Sequence, residues 1–121
     1  MPKTYLLSDS QVERIRPYFP RSHGVARVDD RRVISGIIYV IKHGLQWKDA
    51  PREYGPHKTL YNRFVRWSRM GVFSQIFEAL AQGNQTDRLM IDATHLKAHR
   101  TAASLQKKGV LSVASDARKE D

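Results

Sequence analysis

The stretch that decides the fold runs from residue 30 to residue 44 and reads DRRVISGIIYVIKHG. Placed at the 100° spacing of an α-helix, its aliphatic side chains fill an arc about 160° wide: Val33, Ile34, Ile37, Ile38, Val40 and Ile41. Asp29 or Asp30 supplies an N-cap, and Gly44 supplies the C-terminal stop. So broad an apolar face predicts the central core helix of a mainly α-helical protein.

Weaker helical patterns precede and follow this core helix. Ser8 and Gln11 fit a capping box for a first helix, which Pro17 should close. A short helical turn over residues 45–50 and a longer helix over residues 56–70 come after the core helix. Phenylalanine, isoleucine and leucine at helical spacing then predict a last helix before a polar linker. We therefore expect a bundle of four or five helices.

The composition is strongly basic and contains no cysteine. Twenty-one Lys and Arg residues against twelve Asp and Glu residues give a formal net charge of +9. This charge indicates a polyanionic partner, with nucleic acid first and an anionic membrane surface second. The longest near-continuous apolar run, residues 33–41, is too short for a membrane span, which needs about 20 residues. We expect a cytoplasmic protein with no membrane partner and, without cysteine, no disulfide or thiolate zinc site.

The helix over residues 56–70 has one apolar and one basic face. Leu60, Phe64 and Trp67 share the apolar face, and the whole helix lacks acidic residues. A short helix, a Gly/Pro turn and this longer helix have the layout of a helix-turn-helix, in which the second helix reads DNA. The predicted DNA-binding residues are His57, Lys58, Thr59, Asn62, Arg63, Arg66 and Arg69.

Two alternatives stay open for this basic face. Any amphipathic helix carries a polar face, and its lysine and arginine side chains can simply be solvated. The same pattern also suits a helix on a membrane surface, although the apolar helices upstream argue against it. The two tryptophans, Trp47 and Trp67, are interpreted as core anchors and not as platforms for unpaired bases.

Residues 88–94, RLMIDAT, are interpreted as a short buried strand that ends in a carboxylate. An Asp at a strand end is a common ligand for Mg²⁺, yet two-metal catalysis needs at least two more carboxylates nearby. By composition alone, Asp92 is more often a turn-former or a cap. His95 and His99 have the spacing of a shared metal site, but without a third ligand they are interpreted as solvated or phosphate-facing. From Thr101 onward we expect little fixed structure.

Several segments resemble one known family in their order and spacing. They are residues 7–9, 30–44, 46–51, 54–64, Trp67 and residues 91–102. Together they resemble the N-terminal part of a DDE-type bacterial insertion-sequence transposase of the insertion sequence five family. The resemblance extends over residues 5–109.

This resemblance implies a helix-turn-helix DNA-binding domain over residues 1–83 and, over residues 84–109, the start of an incomplete catalytic domain of ribonuclease H-like fold. In the family, two Asp and one Glu hold Mg²⁺ to cut and join DNA at terminal inverted repeats. Asp92 matches the first of these acids, as catalytic residue and metal ligand. The other two should lie beyond residue 121, so we expect this chain alone to bind no cofactor and to be catalytically inactive. The implied partners are double-stranded DNA and the downstream-frame product or full-length transposase.

Residues 110–121 match nothing in the family, and we expect a disordered tail there. Related elements divide their transposase over two overlapping reading frames, and residues 106–108, QKK, suit a frameshift point. A truncated, inactive relic is an equal alternative. A further alternative is a stand-alone DNA-binding regulator that represses its own element. In each case the chain is expected among the nucleoid-associated proteins of a bacterial cytoplasm.

Overall fold

The structure, a computed structural model, describes residues 5–20, 29–83 and 85–108. In these residues lie five α-helices: α1 (Asp9–Ile15), α2 (Asp30–His43), α3 (His57–Arg69), α4 (Val72–Leu80) and α5 (Gln85–Lys107). Three short 3₁₀ helices accompany them: Arg16–Tyr18, Trp47–Asp49 and Arg52–Tyr54. None of these helices combines the length and the apolar composition that crossing a bilayer requires. The predicted mainly α-helical fold is confirmed.

α1 begins at the predicted capping box, and the segment before it is tied to α2. The Ser8 hydroxyl accepts a hydrogen bond from the Gln11 amide (3.2 Å), and the Gln11 side chain accepts one from the Ser8 amide (2.8 Å). The Leu7 amide donates to the Ser35 hydroxyl (2.9 Å), and the Arg31 guanidinium donates to the Leu7 carbonyl (2.7 Å). These bonds hold the N-terminal segment against α2, where Leu7 is fully buried.

α2 is the core helix that the aliphatic pattern predicts. Asp29 caps its first turn by accepting a hydrogen bond from the Arg32 amide (3.3 Å), and Gly44 ends it in the left-handed region at φ 64°. All the aliphatic side chains of the predicted face are buried. Gly36 lies against Tyr54, and a β-carbon at position 36 would come within 2.7 Å of the Cβ and Cγ atoms of Tyr54. A glycine is therefore required for this close approach.

α2 and α4 lie between α3 and α5. α2 packs against both α3 and α5, and so does α4, while α1 packs on α4. Helices that alternate in this way surround one core, so α3 and α5 occupy diagonally opposite corners of the arrangement. The ring of Phe73 on α4 lies 5.7 Å from Phe64 and 5.9 Å from Trp67, both on α3. The outward faces of α3 and α5 therefore point to opposite sides of the molecule.

The predicted strand over residues 88–94 is wrong. These residues lie inside α5, and the part of the chain that the structure describes contains no strand. Ile91, Thr94 and Ala98 recur at helical spacing and are buried, and the two apolar ones belong to the common core. A lone strand would leave its backbone amides and carbonyls unpaired, whereas a helix satisfies them internally. The helix therefore buries these three side chains and also keeps the backbone groups of this segment hydrogen-bonded.

The segment from Thr101 onward, expected to have little fixed structure, is helical as far as Lys107. Two more apolar side chains of this segment pack on the core, Ala102 and Leu105. The segment is helical because of this packing on the core, which its alanine- and serine-rich sequence does not predict. The predicted disordered tail, residues 110–121, lies outside the described residues. The predicted domain border before residue 84 stays a prediction.

Candidate nucleic-acid interface

Aromatic side chains fix α3 from its inner face. Leu60, Phe64 and Trp67 are at most 2% exposed. The ring centroid of Trp47 lies 5.3 Å from that of Phe64, and the ring centroid of Phe19 lies 5.2 Å from that of Trp67. The predicted role of both tryptophans as core anchors is thus confirmed. Because this packing fixes the rotation of α3 about its own axis, it also fixes which side chains of α3 point outward.

Five of the predicted DNA-binding residues point outward along α3, and we call them the α3 face: Lys58, Thr59, Asn62, Arg66 and Arg69. Lys58, Asn62 and Arg66 are exposed, and the other two are partly buried. All of them except Lys58 line one open depression of about 490 Å³. α3 contains no acidic residue, so the α3 face carries three positive charges and no negative charge of its own helix.

His57 is the first residue of α3, at the helix end that bears a positive partial charge. Pro56 is the N-cap, no side chain caps this end by a hydrogen bond, and the first turn contains no acidic residue. The amide groups of the first turn and the helix dipole therefore favour an anion here. Lys58 adds a full positive charge at the same end, beside the α3 face.

Arg63 is the predicted DNA-binding residue that the structure turns inward. Its Nη1 atom lies 2.8 Å from Oδ1 of Asp30, and the two side chains are only 9% and 19% exposed. The Arg63 guanidinium also lies over the Trp67 ring, with Cζ 4.8 Å from the centroid. In this conformation Arg63 joins α3 to the start of α2, and its contact with DNA stays a prediction. Sequence reasoning missed the ion pair because Asp30 lies 33 residues away and no local pattern marks it.

Asp92 lies exposed on α5 and not at the end of a strand. Within residues 5–20, 29–83 and 85–108, no three His, Cys, Asp or Glu side chains come together in a way that could hold a metal ion. The described residues therefore do not fit a Mg²⁺ site, which needs several oxygen ligands. The role of Asp92 as catalytic acid and metal ligand stays a prediction about a larger protein.

His95 and His99 extend a column of stacked rings that begins at Phe77 on α4. The centroid distances are 5.0 Å from Phe77 to His95 and 4.8 Å from His95 to His99. Burial lowers the pKa of His95 and the neighbouring His99 lowers it further, while Glu78 and Asp92 act in the opposite direction. His99 is exposed, as the sequence suggests, but His95 is partly buried and helps to hold α5 against α4.

Comparison with known proteins gives three matches. A family model described as "Putative transposase of IS4/5 family" matches residues 7–77. The uncharacterized protein y4sN of Sinorhizobium fredii is 31% identical over 104 residues, which cover 84% of this chain and 83% of that protein. The uncharacterized 16.2 kDa protein of insertion element IS402 from Burkholderia cepacia is 30% identical over 91 residues, 69% of this chain and 62% of that protein. No solved structure matches the chain.

Proposed function

The chain belongs to the IS4/5 family of transposases, and we propose that it binds double-stranded DNA at the terminal inverted repeats of its element through the α3 face. The observation that carries this proposal is a helix with two exposed cations, Lys58 and Arg66, and no acid, fixed from behind by aromatic packing. Such a surface attracts phosphates and presents its side chains at fixed positions. Through this contact the chain would take part in transposition.

In the proposed complex, α3 lies in the major groove as the second helix of a helix-turn-helix. Before α3 lie two 3₁₀ helices of three residues each, Trp47–Asp49 and Arg52–Tyr54, so the helix-turn-helix assignment is drawn from the resemblance to the family. Asn62 is exposed near the middle of α3, and Arg66 is exposed in its last turn. At these positions an asparagine can pair bidentately with adenine, and an arginine with guanine. Lys58 and Arg69 lie towards its two ends and suit phosphates on either side of the groove.

DNA cutting and joining would belong to a complete transposase. In that enzyme, Asp92 is proposed as one acid of the catalytic site and Mg²⁺ as its metal ion, from the resemblance to the family. In the part of the chain that the structure describes, no cluster of three potential ligands includes Asp92. The function proposed for this chain is DNA binding.

An electrophoretic mobility shift tests the proposal with two duplexes, the element's own terminal repeat and a scrambled sequence of equal length and composition. We expect binding to the repeat to be tighter by at least about ten-fold. Arg66→Ala should weaken this binding and reduce its salt dependence, because one cationic contact is lost. Arg16→Ala is the matched control, since it removes an exposed charge that follows α1 and should leave affinity nearly unchanged.

Two results would count against the proposal. Equal affinity for the repeat and the scrambled duplex would remove the claim of specific recognition. An equal loss of affinity in Arg66→Ala and Arg16→Ala would show that total charge, and not the α3 face, determines binding.

A further inference from the structure

Arg63 lies within the span of the α3 face, but its side chain is turned away from solvent. It follows Asn62 directly, precedes Arg66 by three residues, and lines the same open depression as both. The Arg63 side chain is only 9% exposed, whereas Asn62 and Arg66 are exposed. A largely buried cation therefore lies between the two exposed side chains that are proposed to read base pairs.

Asp30 holds this cation from another helix. The Nη1 atom of Arg63 donates a hydrogen bond to Oδ1 of Asp30 at 2.8 Å, and Asp30 is the first residue of α2. A charge-assisted hydrogen bond of this length is strong and directional. The guanidinium also lies over the Trp67 ring, with Cζ 4.8 Å from the centroid. Arg63 thus ties the middle of α3 to the start of α2.

The aromatic packing behind α3 and this ion pair restrain different motions of the helix. The ring contacts of Trp67 and Phe64, with centroids 5.2 Å and 5.3 Å from their partners, belong to a broad range of favourable distances. They fix which side of α3 faces the core, but they tolerate a small slide of the helix. The hydrogen bond of Arg63 does not, because a displacement of about 1 Å along it would take it out of bonding range. The pair therefore fixes the position of α3 relative to α2.

We infer that the Arg63–Asp30 pair determines how well the α3 face discriminates the terminal repeat from other DNA, with Arg63 as a positioning residue. This inference rests on the proposed function of the α3 face. Bidentate pairing with a base requires a side chain held within about 0.5 Å of its productive position. Attraction to phosphates falls off gradually with distance. Loss of the pair therefore weakens the contacts of Asn62 and Arg66 with bases and spares the attraction to DNA of any sequence.

A direct contact of Arg63 with phosphate is the other role to consider, and the ion pair disfavours it. If Arg63 turned towards DNA, it would leave behind the Asp30 carboxylate, whose side chain is only 19% exposed, and an unpaired charge at such a site costs free energy. Lys58 and Arg66 are exposed on α3 and reach phosphates without this cost. The two roles predict opposite effects of Asp30→Asn, since release of Arg63 raises affinity for every duplex only if Arg63 contacts DNA.

A mobility-shift titration of four chains tests the inference with the terminal repeat and a scrambled duplex of equal length. The chains are the wild type, Arg63→Gln, Asp30→Asn and the double variant. Each variant should bind the repeat at least about five-fold more weakly than the wild type, and the scrambled duplex within about two-fold of it. The double variant should be no weaker than Arg63→Gln, because both changes break the same bond. The salt dependence of Arg63→Gln should match that of the wild type, because no phosphate contact is lost.

The matched control is Val12→Ala, which truncates a side chain of α1 that is 6% exposed. This cavity should lower stability by an amount comparable to the loss of the ion pair. α1 packs on α4 and contributes no side chain to the α3 face, so Val12→Ala should keep both affinities. All titrations are made at a temperature at which circular dichroism shows every chain to be folded.

Three results overturn the inference. The first is an unchanged affinity of Arg63→Gln and Asp30→Asn for the repeat. The second is a higher affinity of Asp30→Asn for both duplexes, which would assign Arg63 to a direct contact with phosphate. The third is an equal loss of affinity for the repeat in Val12→Ala, which would attribute the effect to stability alone. A wild type that binds the two duplexes equally would instead contradict the proposed function of the α3 face.

Discussion

At the scale of single residues, two arginines three positions apart on α3 have different roles. Arg63 is largely buried in an ion pair with Asp30, whereas Arg66 is exposed. Arg63→Gln should lower the free energy of unfolding by about 2 kcal/mol, because Asp30 loses a buried charged hydrogen bond. Arg66→Gln should change it by less than about 0.5 kcal/mol. Urea denaturation measures both values, and Arg66→Gln serves as the control.

Asp30→Asn completes a double-mutant cycle with Arg63→Gln. We expect a coupling energy of at least about 0.5 kcal/mol, because the two side chains interact directly. Additive effects would contradict the structural role of the pair. The sequence alone could predict which side chains of this helix are polar, but it could not predict that Arg63 turns inward.

Gly36 is the residue of α2 against which Tyr54 packs. Gly36→Ala would place Cβ 2.7 Å from the Cβ and Cγ atoms of Tyr54, and these atoms lie at the base of the side chain, where a rotamer change gives little relief. The clash should cost about 1–3 kcal/mol of stability and outweigh the gain of roughly 1 kcal/mol in helix propensity. Thermal unfolding measures the result, and a more stable Gly36→Ala variant would contradict the packing.

His95 should make stability depend on pH. Burial lowers its pKa from 6.5, so the unfolded chain binds the proton more readily than the folded chain. The contribution of the neutral His95 ring to the free energy of unfolding is therefore complete above the pKa of the unfolded chain. It is lost as the pH falls from there towards the lower pKa of the folded chain. His95→Phe keeps a ring in the stack and should flatten the fall in the urea midpoint between about pH 7.5 and pH 5.

The reference for this measurement is the wild-type chain, whose urea midpoint is recorded over the same pH range. An unchanged pH dependence in His95→Phe would show that His95 does not titrate against its buried surroundings.

At the scale of the helices, local patterns predict α1 to α4 and fail at α5. Asp29 and Gly44 mark α2 in the sequence because a cap acts on its own neighbours. α5 buries only Ile91, Thr94 and Ala98 among its 23 residues. The helical repeat of apolar residues in its sequence is therefore weak. α5 is held by its contacts with α2 and α4. These are contacts with distant parts of the chain, and the local sequence near residue 91 does not predict them.

A pair of alanines on α5 tests the helix directly. Ala98 is 6% exposed on the inner side of α5, whereas Ala93 is exposed. Ala98→Arg should destabilise the chain by about 1–3 kcal/mol, because a long charged side chain is forced into the core. Ala93→Arg should be nearly neutral. Chemical denaturation that finds both variants neutral would contradict the packing of α5 on the core.

At the scale of the whole molecule, the positive charge is divided between two sides. The sequence places basic residues in the helix over residues 56–70 and again after residue 92, and it predicts a polyanionic partner. It does not say that α2 and α4 lie between the two groups, because that follows from the packing of distant helices. The positive charge is therefore carried by two separate groups, one on the α3 face and one on α5.

The absence of cysteine from the sequence permits the most direct measurement of the central claim, that the α3 face binds the terminal repeat. A single cysteine at Asn62→Cys carries an iron chelate that generates hydroxyl radicals and cleaves nearby DNA. A second variant, Glu13→Cys, carries it on the exposed side of α1 as the control. We predict cleavage confined to a few nucleotides of the terminal repeat from position 62, and weak, dispersed cleavage from position 13. Equal or dispersed cleavage from both positions would contradict the claim.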